Sequence, residues 1–121
     1  MADYGIWQVL EVDRANPLAE GEGFRNNWLA HTPRTSTNVT QIREHGGAAQ
    51  HYHAEHDEVI FVAQGEGEFR LGDEVRTVKP GDVVVAPAGV VHGPTPNSPR
   101  FVFLSVFAPG FDPANPDRVF V

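Results

Sequence analysis

Three histidines and one glutamate stand at spacings typical of a metal site. His51 and His53 are separated by one residue, Glu58 follows on the same segment, and His92 lies further along the chain. Imidazole nitrogens and carboxylate oxygens are common ligands of divalent transition metals. Side chains two residues apart point to one face of a β-strand but to different sides of a helix. The pattern therefore predicts one metal ion, held by β-structure through these four side chains.

The rest of the chain predicts the strands that such a site needs. Twelve glycines and ten prolines divide it into short apolar pieces, and helical periodicity is hard to find. Strands are predicted at Ile6–Val12, Phe24–Ala30, Thr37–Arg43, Gln50–His53, Glu58–Ala63, Glu68–Leu71, Glu74–Val78, Val83–Ala86 and Arg100–Phe107, with Arg118–Val121 as an edge strand. The segments between the predicted strands are too short for the crossover helices that a parallel sheet needs. We therefore expect one all-β domain over residues 1–121, a closed barrel or a sandwich.

Composition excludes several classes of function. The net charge is −7, with 9 Lys and Arg against 16 Asp and Glu, and no basic stripe is present to bind nucleic acid. Cysteine is absent, which excludes disulfides, thiolate ligands and a cysteine nucleophile. No apolar run has the length of a membrane span, and the start of the chain lacks signal-peptide character. We therefore expect a cytoplasmic protein with neither nucleic acid nor membrane as a partner.

Two motifs make the chain resemble the cupin superfamily. The first runs from Gly46 through His51-Tyr52-His53 and Glu58 to Gly65, and the second runs from Gly81 through Pro87-Ala88-Gly89 and His92 to Asn97. The leading glycine is one residue nearer to the histidines than in the usual pattern, and the asparagine is one residue later. Neither departure touches a ligand position. The resemblance covers under half of the chain, and it implies a small, single-domain double-stranded β-helix (jelly-roll) barrel.

The resemblance also implies a range of activities. Cupins include dioxygenases, isomerases, lyases and plain binding modules. We expect an enzyme that acts on a small oxygenated metabolite, by dioxygenase chemistry or by Lewis-acid isomerase, lyase or cyclase chemistry. The alternative is a non-catalytic, metal-containing module that binds a small ligand. One divalent ion per chain is expected, and the sequence does not choose among iron, manganese, nickel, zinc and copper.

Candidate residues for catalysis and substrate binding follow from the same pattern. Glu58 is the carboxylate nearest to the metal and is the candidate base. Gln41 and Arg43 share a strand face and would bind a substrate carboxylate if that face points inward. Phe103 is a candidate for substrate contact. An apolar lining that includes Ile60 favours a small aromatic or polyketide-like substrate over a sugar.

The remaining predictions concern two further histidines and the assembly. His56 is expected at the surface or behind a metal ligand, and His45 is expected in solvent. In the segment Phe101–Phe107 both strand faces are apolar. One face would fill the barrel, and the other would be covered by a second sheet or a second subunit. A homodimer is therefore the expected assembly.

Overall fold

The computed structural model describes residues 2–44, 46 and 49–121. Its elements in chain order are α1 (Val9–Ala15), β1 (Phe24–His31), β2 (Ser36–Arg43), β3 (His51–Tyr52), β4 (Asp57–Gln64), β5 (Gly67–Leu71), β6 (Glu74–Val78), β7 (Val83–Ala86), β8 (His92–Pro96), β9 (Arg100–Ala108) and β10 (Val119–Phe120). The strands form two five-stranded sheets, in the orders β1-β2-β9-β4-β7 and β10-β3-β8-β5-β6. All strand pairs are antiparallel. The expected all-β jelly-roll is confirmed.

Alternation along the strands places the core between the sheets. In β4, the side chains of Glu58, Ile60 and Val62 are buried, whereas Val59 and Phe61 between them are exposed. Side chains of successive strand residues point to opposite faces, so one face of β4 packs inward. The buried apolar cluster contains Ile42, Ile60, Val62, Phe69, Val78, Val84, Phe101 and Phe103. This cluster supports one end of the barrel interior, and the metal-ligand side chains lie beside it.

The strand predicted at Ile6–Val12 is wrong, because the chain forms helix α1 there. Isoleucine, tryptophan and valine favour strands, but this preference is weak compared with tertiary packing. The Gln8 side chain caps the helix by accepting a hydrogen bond from the Glu11 amide at 2.6 Å. Asp13 on the helix is 1% exposed and packs against the outer face of the first sheet. The helix covers part of that face.

Strand β8 was missed because its sequence, His-Gly-Pro-Thr-Pro, contains two prolines. Proline lacks an amide hydrogen and is usually excluded from central strands. Here β8 nevertheless lies between β3 and β5. The turn before it depends on Gly89, which has φ 84°, and whose amide donates to the His53 carbonyl oxygen at 2.7 Å. This turn brings the second motif against the first.

No helix within the described part of the chain is long and apolar enough to cross a membrane.

Candidate metal centre

The four predicted ligands converge between the two sheets. His51 on β3 lies directly opposite His92 on β8 in the antiparallel register, and His53 follows β3. Glu58 reaches them from β4 in the facing sheet. The four side chains are buried, and one ligand atom from each lies within 4.8 Å of the others. The structure therefore brings together every side chain that the sequence assigned to the metal.

Backbone carbonyl groups fix the orientation of all three imidazole rings. His51 Nδ1 lies 2.8 Å from the Ala49 oxygen, and His92 Nδ1 lies 2.9 Å from the Val90 oxygen. His53 Nδ1 lies 2.5 Å from the Asp117 oxygen. A carbonyl oxygen only accepts, so each Nδ1 carries the hydrogen and each Nε2 keeps its lone pair. This is the tautomer that a metal bound at Nε2 requires.

The contacts of Glu58 fit a cation at this place. Its Oε1 lies 3.0 Å from His53 Nε2 and 2.8 Å from His92 Nε2. With Nδ1 protonated, neutral imidazoles present lone pairs at these positions, so the nitrogens and the carboxylate oxygen are all electron donors. Such a group is stable only when a proton or a metal ion lies among its members. The residues present therefore fit a divalent ion held by three imidazoles and one carboxylate.

Burial and mutual contact determine the charges of these groups. Burial lowers the pKa of His51 to about 4, so this ring is neutral at pH 7. Burial would raise the pKa of Glu58, but in the metal-free protein, where a proton lies between Glu58 and the Nε2 atoms of His53 and His92, these contacts and the Ser105 hydroxyl outweigh burial and lower that pKa to about 2. Burial would likewise lower the pKa of His92, whereas the Glu58 carboxylate raises it above its ordinary value. Glu58 is thus ionised, as a metal ligand must be.

Two residues outside the motifs support the ligands. Ser105 on β9 donates a hydrogen bond from Oγ to Glu58 Oε2 at 2.7 Å. The Asp117 carboxylate accepts from the amides of Ala54 and Glu55, at 3.0 and 2.7 Å, and contacts His56 Nδ1 at 2.6 Å. Asp117 therefore fixes the loop after His53 as well as the ring of that histidine. Nothing in the sequence distinguished Asp117 from its neighbours, because it lies 64 residues from His53.

The structure does not bring Gln41 and Arg43 to the metal ligands. Gln41 Nε2 donates to Asp13 Oδ1 at 2.8 Å and to the Asn16 oxygen at 2.9 Å, on the outer face of the sheet beneath α1. Arg43 is exposed and donates to the carbonyl oxygens of Leu18 and Ala19, both at 3.0 Å. The side chains that point inward from β2 are the alternate ones, because parity reverses at each residue. The condition attached to the prediction, an inward face, is not met.

A cavity adjoins the metal ligands and is lined by side chains from both sheets. Phe103, predicted for substrate contact, lines it together with Ile42, Ile60 and Phe69. Val62, by contrast, is fully buried in the apolar cluster. Further lining residues are the aromatic Trp28, Phe107 and Phe111, and Pro116 and Arg118 of the C-terminal segment. Three polar side chains, Asn26, Asn38 and Thr40, also face it.

The predictions for His56 and His45 have different outcomes. His56 is partly buried, pairs with Asp117 and packs against the Phe111 ring, with 4.9 Å between ring centroids. It therefore supports the loop that carries His53 and contributes no ligand atom to the group of four. His45 lies outside the described residues.

Comparison with known sequences identifies the family. The family profile described as Cupin domain matches residues 38–107, more than half of the chain. An uncharacterised protein of Aquifex aeolicus (strain VF5) is 36% identical over 112 residues, which cover 93% of this chain and 88% of that protein. The matched region contains all four candidate metal ligands.

Solved structures give the same result. KdgF from Halomonas sp. has a TM-score of 0.75 and 28% identity, over 85% of this chain and 94% of that chain. A conserved Klebsiella pneumoniae protein with a double-stranded β-helix domain has a TM-score of 0.75 and 29% identity, over 87% and 90% of the two chains. The DMSP lyase DddQ from Ruegeria pomeroyi, with a TM-score of 0.70 and 23% identity over 84% and 53% of the two chains, shares the fold. The chain belongs to the cupin family.

Proposed function

We propose that this protein is a metal-dependent cupin enzyme that acts on a small oxygenated metabolite. The observation that carries the proposal is the buried group of His51, His53, Glu58 and His92 at one side of a lined cavity. Four protein ligands leave positions open on a six-coordinate ion, which catalysis needs and a closed structural site lacks. The same fold carries an enzyme in the DMSP lyase DddQ, although identity at that level extends only to the fold.

A bound divalent ion would supply either Lewis-acid polarisation of a substrate oxygen or, as a redox metal, activation of dioxygen. The chain's own residues would hold and orient it. The carbonyl contacts at Nδ1 keep the three rings aimed at one point, and Ser105 holds the second oxygen of Glu58. The apolar and aromatic lining would exclude water from the bound substrate.

Glu58 is the proposed proton acceptor as well as a ligand. Its lowered pKa, near 2, favours the ligand role, because a weak base accepts a proton poorly at neutral pH. Proton transfer to Glu58 would therefore require that the carboxylate oxygen first leave the metal ion. Ser105 is positioned to retain one oxygen while the other is released.

The test is turnover by protein loaded anaerobically with iron(II), and separately with zinc, nickel or manganese. A panel of small oxo- and hydroxy-acids and enols would be followed by proton NMR, with oxygen uptake recorded in parallel. Conversion of a panel member, abolished by His92→Ala, supports the proposal, and oxygen uptake assigns it to dioxygenase chemistry. Ligand binding without conversion of any member by any metal form would support the non-catalytic alternative instead.

A further inference from the structure

A band of polar side chains crosses the inner face of the first sheet beside the candidate metal ligands. In the strand register, Asn38 on β2 lies opposite Ser105 on β9, which in turn donates to Glu58. Thr40, two residues along β2, lies opposite Asn26 on β1. All these positions share the inward parity of Glu58. Polar groups therefore run from the metal ligand across three further strands of the barrel interior.

This band is surrounded by large apolar side chains. Phe24 and Trp28 flank Asn26 along β1, while Ile42 follows Thr40 along β2 and Phe103 lies opposite Thr40 on β9. Asn38 is 1% exposed, and Thr40 is 3% exposed. Burial of amide and hydroxyl groups costs free energy unless each finds a hydrogen-bond partner. Leucine or valine would fill these positions at lower cost, so the fold alone does not explain them.

The band's hydrogen bonding is incomplete inside the protein. Thr40 Oγ1 lies 2.7 Å from Asn38 Oδ1 and 2.9 Å from Asn26 Oδ1. One hydroxyl hydrogen serves one acceptor at a time, so one amide oxygen lacks a donor. Among the described residues, neither Asn26 Nδ2 nor Asn38 Nδ2 forms a hydrogen bond. Neither nitrogen is among the fully buried atoms, and both residues line the cavity. Both amide groups therefore present free donors to the cavity.

A cation completes this set of binding groups. Arg118 lines the same cavity, is half-buried and stacks on Phe120, with 5.6 Å between its guanidinium carbon and the ring centroid. Within the described part of the chain it forms no ion pair with a carboxylate. In a protein of net charge −7, an unpaired guanidinium beside a cavity favours an anionic ligand.

The size of the cavity limits this ligand. Its volume is ≈ 50 Å³. The ligand that reaches the amide groups is therefore a short molecule.

From these observations, we propose that Asn26, Asn38 and Thr40 form a hydroxyl-binding subsite, with Arg118 as its carboxylate-binding residue. The substrate class is a small hydroxylated carboxylic acid, oriented with one end at the metal and a further hydroxyl on the carboxamides. The inference rests on the proposed function, because it assumes substrate binding beside the metal. It replaces the aromatic or polyketide-like substrate that the apolar residues of the sequence favoured.

The test is calorimetric titration of zinc-loaded protein with propionate, lactate and glycerate. These three-carbon acids differ by one hydroxyl at each step. The step from propionate to lactate reports chelation of the metal, whereas the step from lactate to glycerate reports the additional hydroxyl. We expect glycerate to bind about threefold to tenfold more tightly than lactate, the effect of one hydrogen bond. Equal affinities of the two acids for the wild-type protein would overturn the inference.

Variants assign the effect to residues. In Asn38→Leu and in Thr40→Val, the affinity for glycerate should fall to about the affinity for lactate. Thr37→Val, the matched change on the outer face of β2, should retain the full preference. Arg118→Met should lower the affinity for all three acids by about tenfold or more, and the ratios between the three affinities should stay unchanged. A glycerate preference that survives in Asn38→Leu and Thr40→Val would contradict the proposed subsite.

The outcome for the subsite is separable from that for the metal. Metal content of the same samples, measured beside the titrations, tests the proposed function independently. A protein that holds zinc and prefers lactate to propionate, yet gains nothing from glycerate, would keep the metal centre and refute the subsite. A protein that binds none of the acids although zinc is present would also refute it. The wild-type titration decides the question even if Asn38→Leu fails to fold.

Discussion

At the scale of single residues, the ligand set was predictable and its supports were not. The two-residue spacing of His51 and His53 required a strand, and the motifs supplied Glu58 and His92. The supporting contacts of Ser105 and Asp117 join residues that are 47 and 64 positions apart in the sequence. Serine in a strand and aspartate in a tail carry no local signal of such a role. Contacts between residues distant in sequence depend on the fold, so they could not be predicted from the sequence alone.

One prediction at this scale concerns Ser105. Ser105→Ala removes the hydroxyl that holds Glu58 Oε2 and leaves the four ligands in place. Because the groups behind metal ligands fix their orientation, we expect metal affinity to fall by about 10-fold to 100-fold. Competition with a chromophoric chelator measures this change. Ser98→Ala, in the loop before β9, is the control and should bind metal as the wild type does. Unchanged metal affinity in Ser105→Ala would contradict the role of Ser105 in orienting Glu58.

At the scale of elements, strand parity explains both a success and a failure. In β4 the sequence is apolar on both faces, and Glu58 alone identified the inward one, because a metal ligand must point into the barrel and Ile60 and Val62 share its face. In β2 both faces are buried, since α1 covers the outer one. The pattern of β2 therefore gave no indication of which face is inward. Gln41 was predicted to bind substrate only if its face pointed inward, whereas Asn38 and Thr40 are the residues that face the cavity.

A prediction for α1 follows from this placement. Gln41→Leu removes the amide that donates to Asp13, a carboxylate that is 1% exposed and that retains the contact with Arg100. We expect the free energy of unfolding to fall by about 1–3 kcal/mol, measured in urea, while metal content stays unchanged. Arg43→Ala at the exposed end of β2 should change stability by about 0.5 kcal/mol or less. Loss of metal without loss of stability in Gln41→Leu would place this residue in the pocket after all.

The C-terminal segment carries a second prediction at this scale. The Asp117 side chain holds the amides of Ala54 and Glu55 and the ring of His56. Asp117→Ala should lower the free energy of unfolding by about 2 kcal/mol, because these donors lose a charged acceptor. It should also weaken metal binding, since the loop positions His53. The control Asp112→Ala removes one exposed contact in the same segment and should have little effect on either measurement. Equal stability losses in both variants would argue against a specific role for Asp117.

At the scale of the whole molecule, the outer face of the first sheet is only partly covered. The predicted partner for this face was a second sheet or a second subunit, and α1 covers one side of it. Four large apolar side chains remain exposed on β4 and β7: Val59, Phe61, Val83 and Val85. Val59 lies opposite Val85 and Phe61 opposite Val83 in the register, so the four form one continuous patch. An uncharged patch of this kind suits a symmetric pairing of two copies.

We therefore predict a homodimer formed through this patch. Light scattering during size-exclusion chromatography should give twice the mass of one chain for the wild type. Val85→Glu places a charge in the patch and should yield the monomer, whereas Val75→Glu, on the second sheet, should remain dimeric. A wild-type protein that stays monomeric at high concentration would contradict the prediction.

The central claim is that His51, His53, Glu58 and His92 hold one divalent metal ion, and elemental analysis tests it most directly. Protein purified without a metal-affinity tag should contain about one transition-metal ion per chain. His92→Ala should lose most of it while its far-UV circular dichroism remains that of the wild type, and His56→Ala should retain the metal. Equal metal content in His92→Ala and the wild type, or a wild-type protein that takes up no metal on reconstitution, would contradict the account.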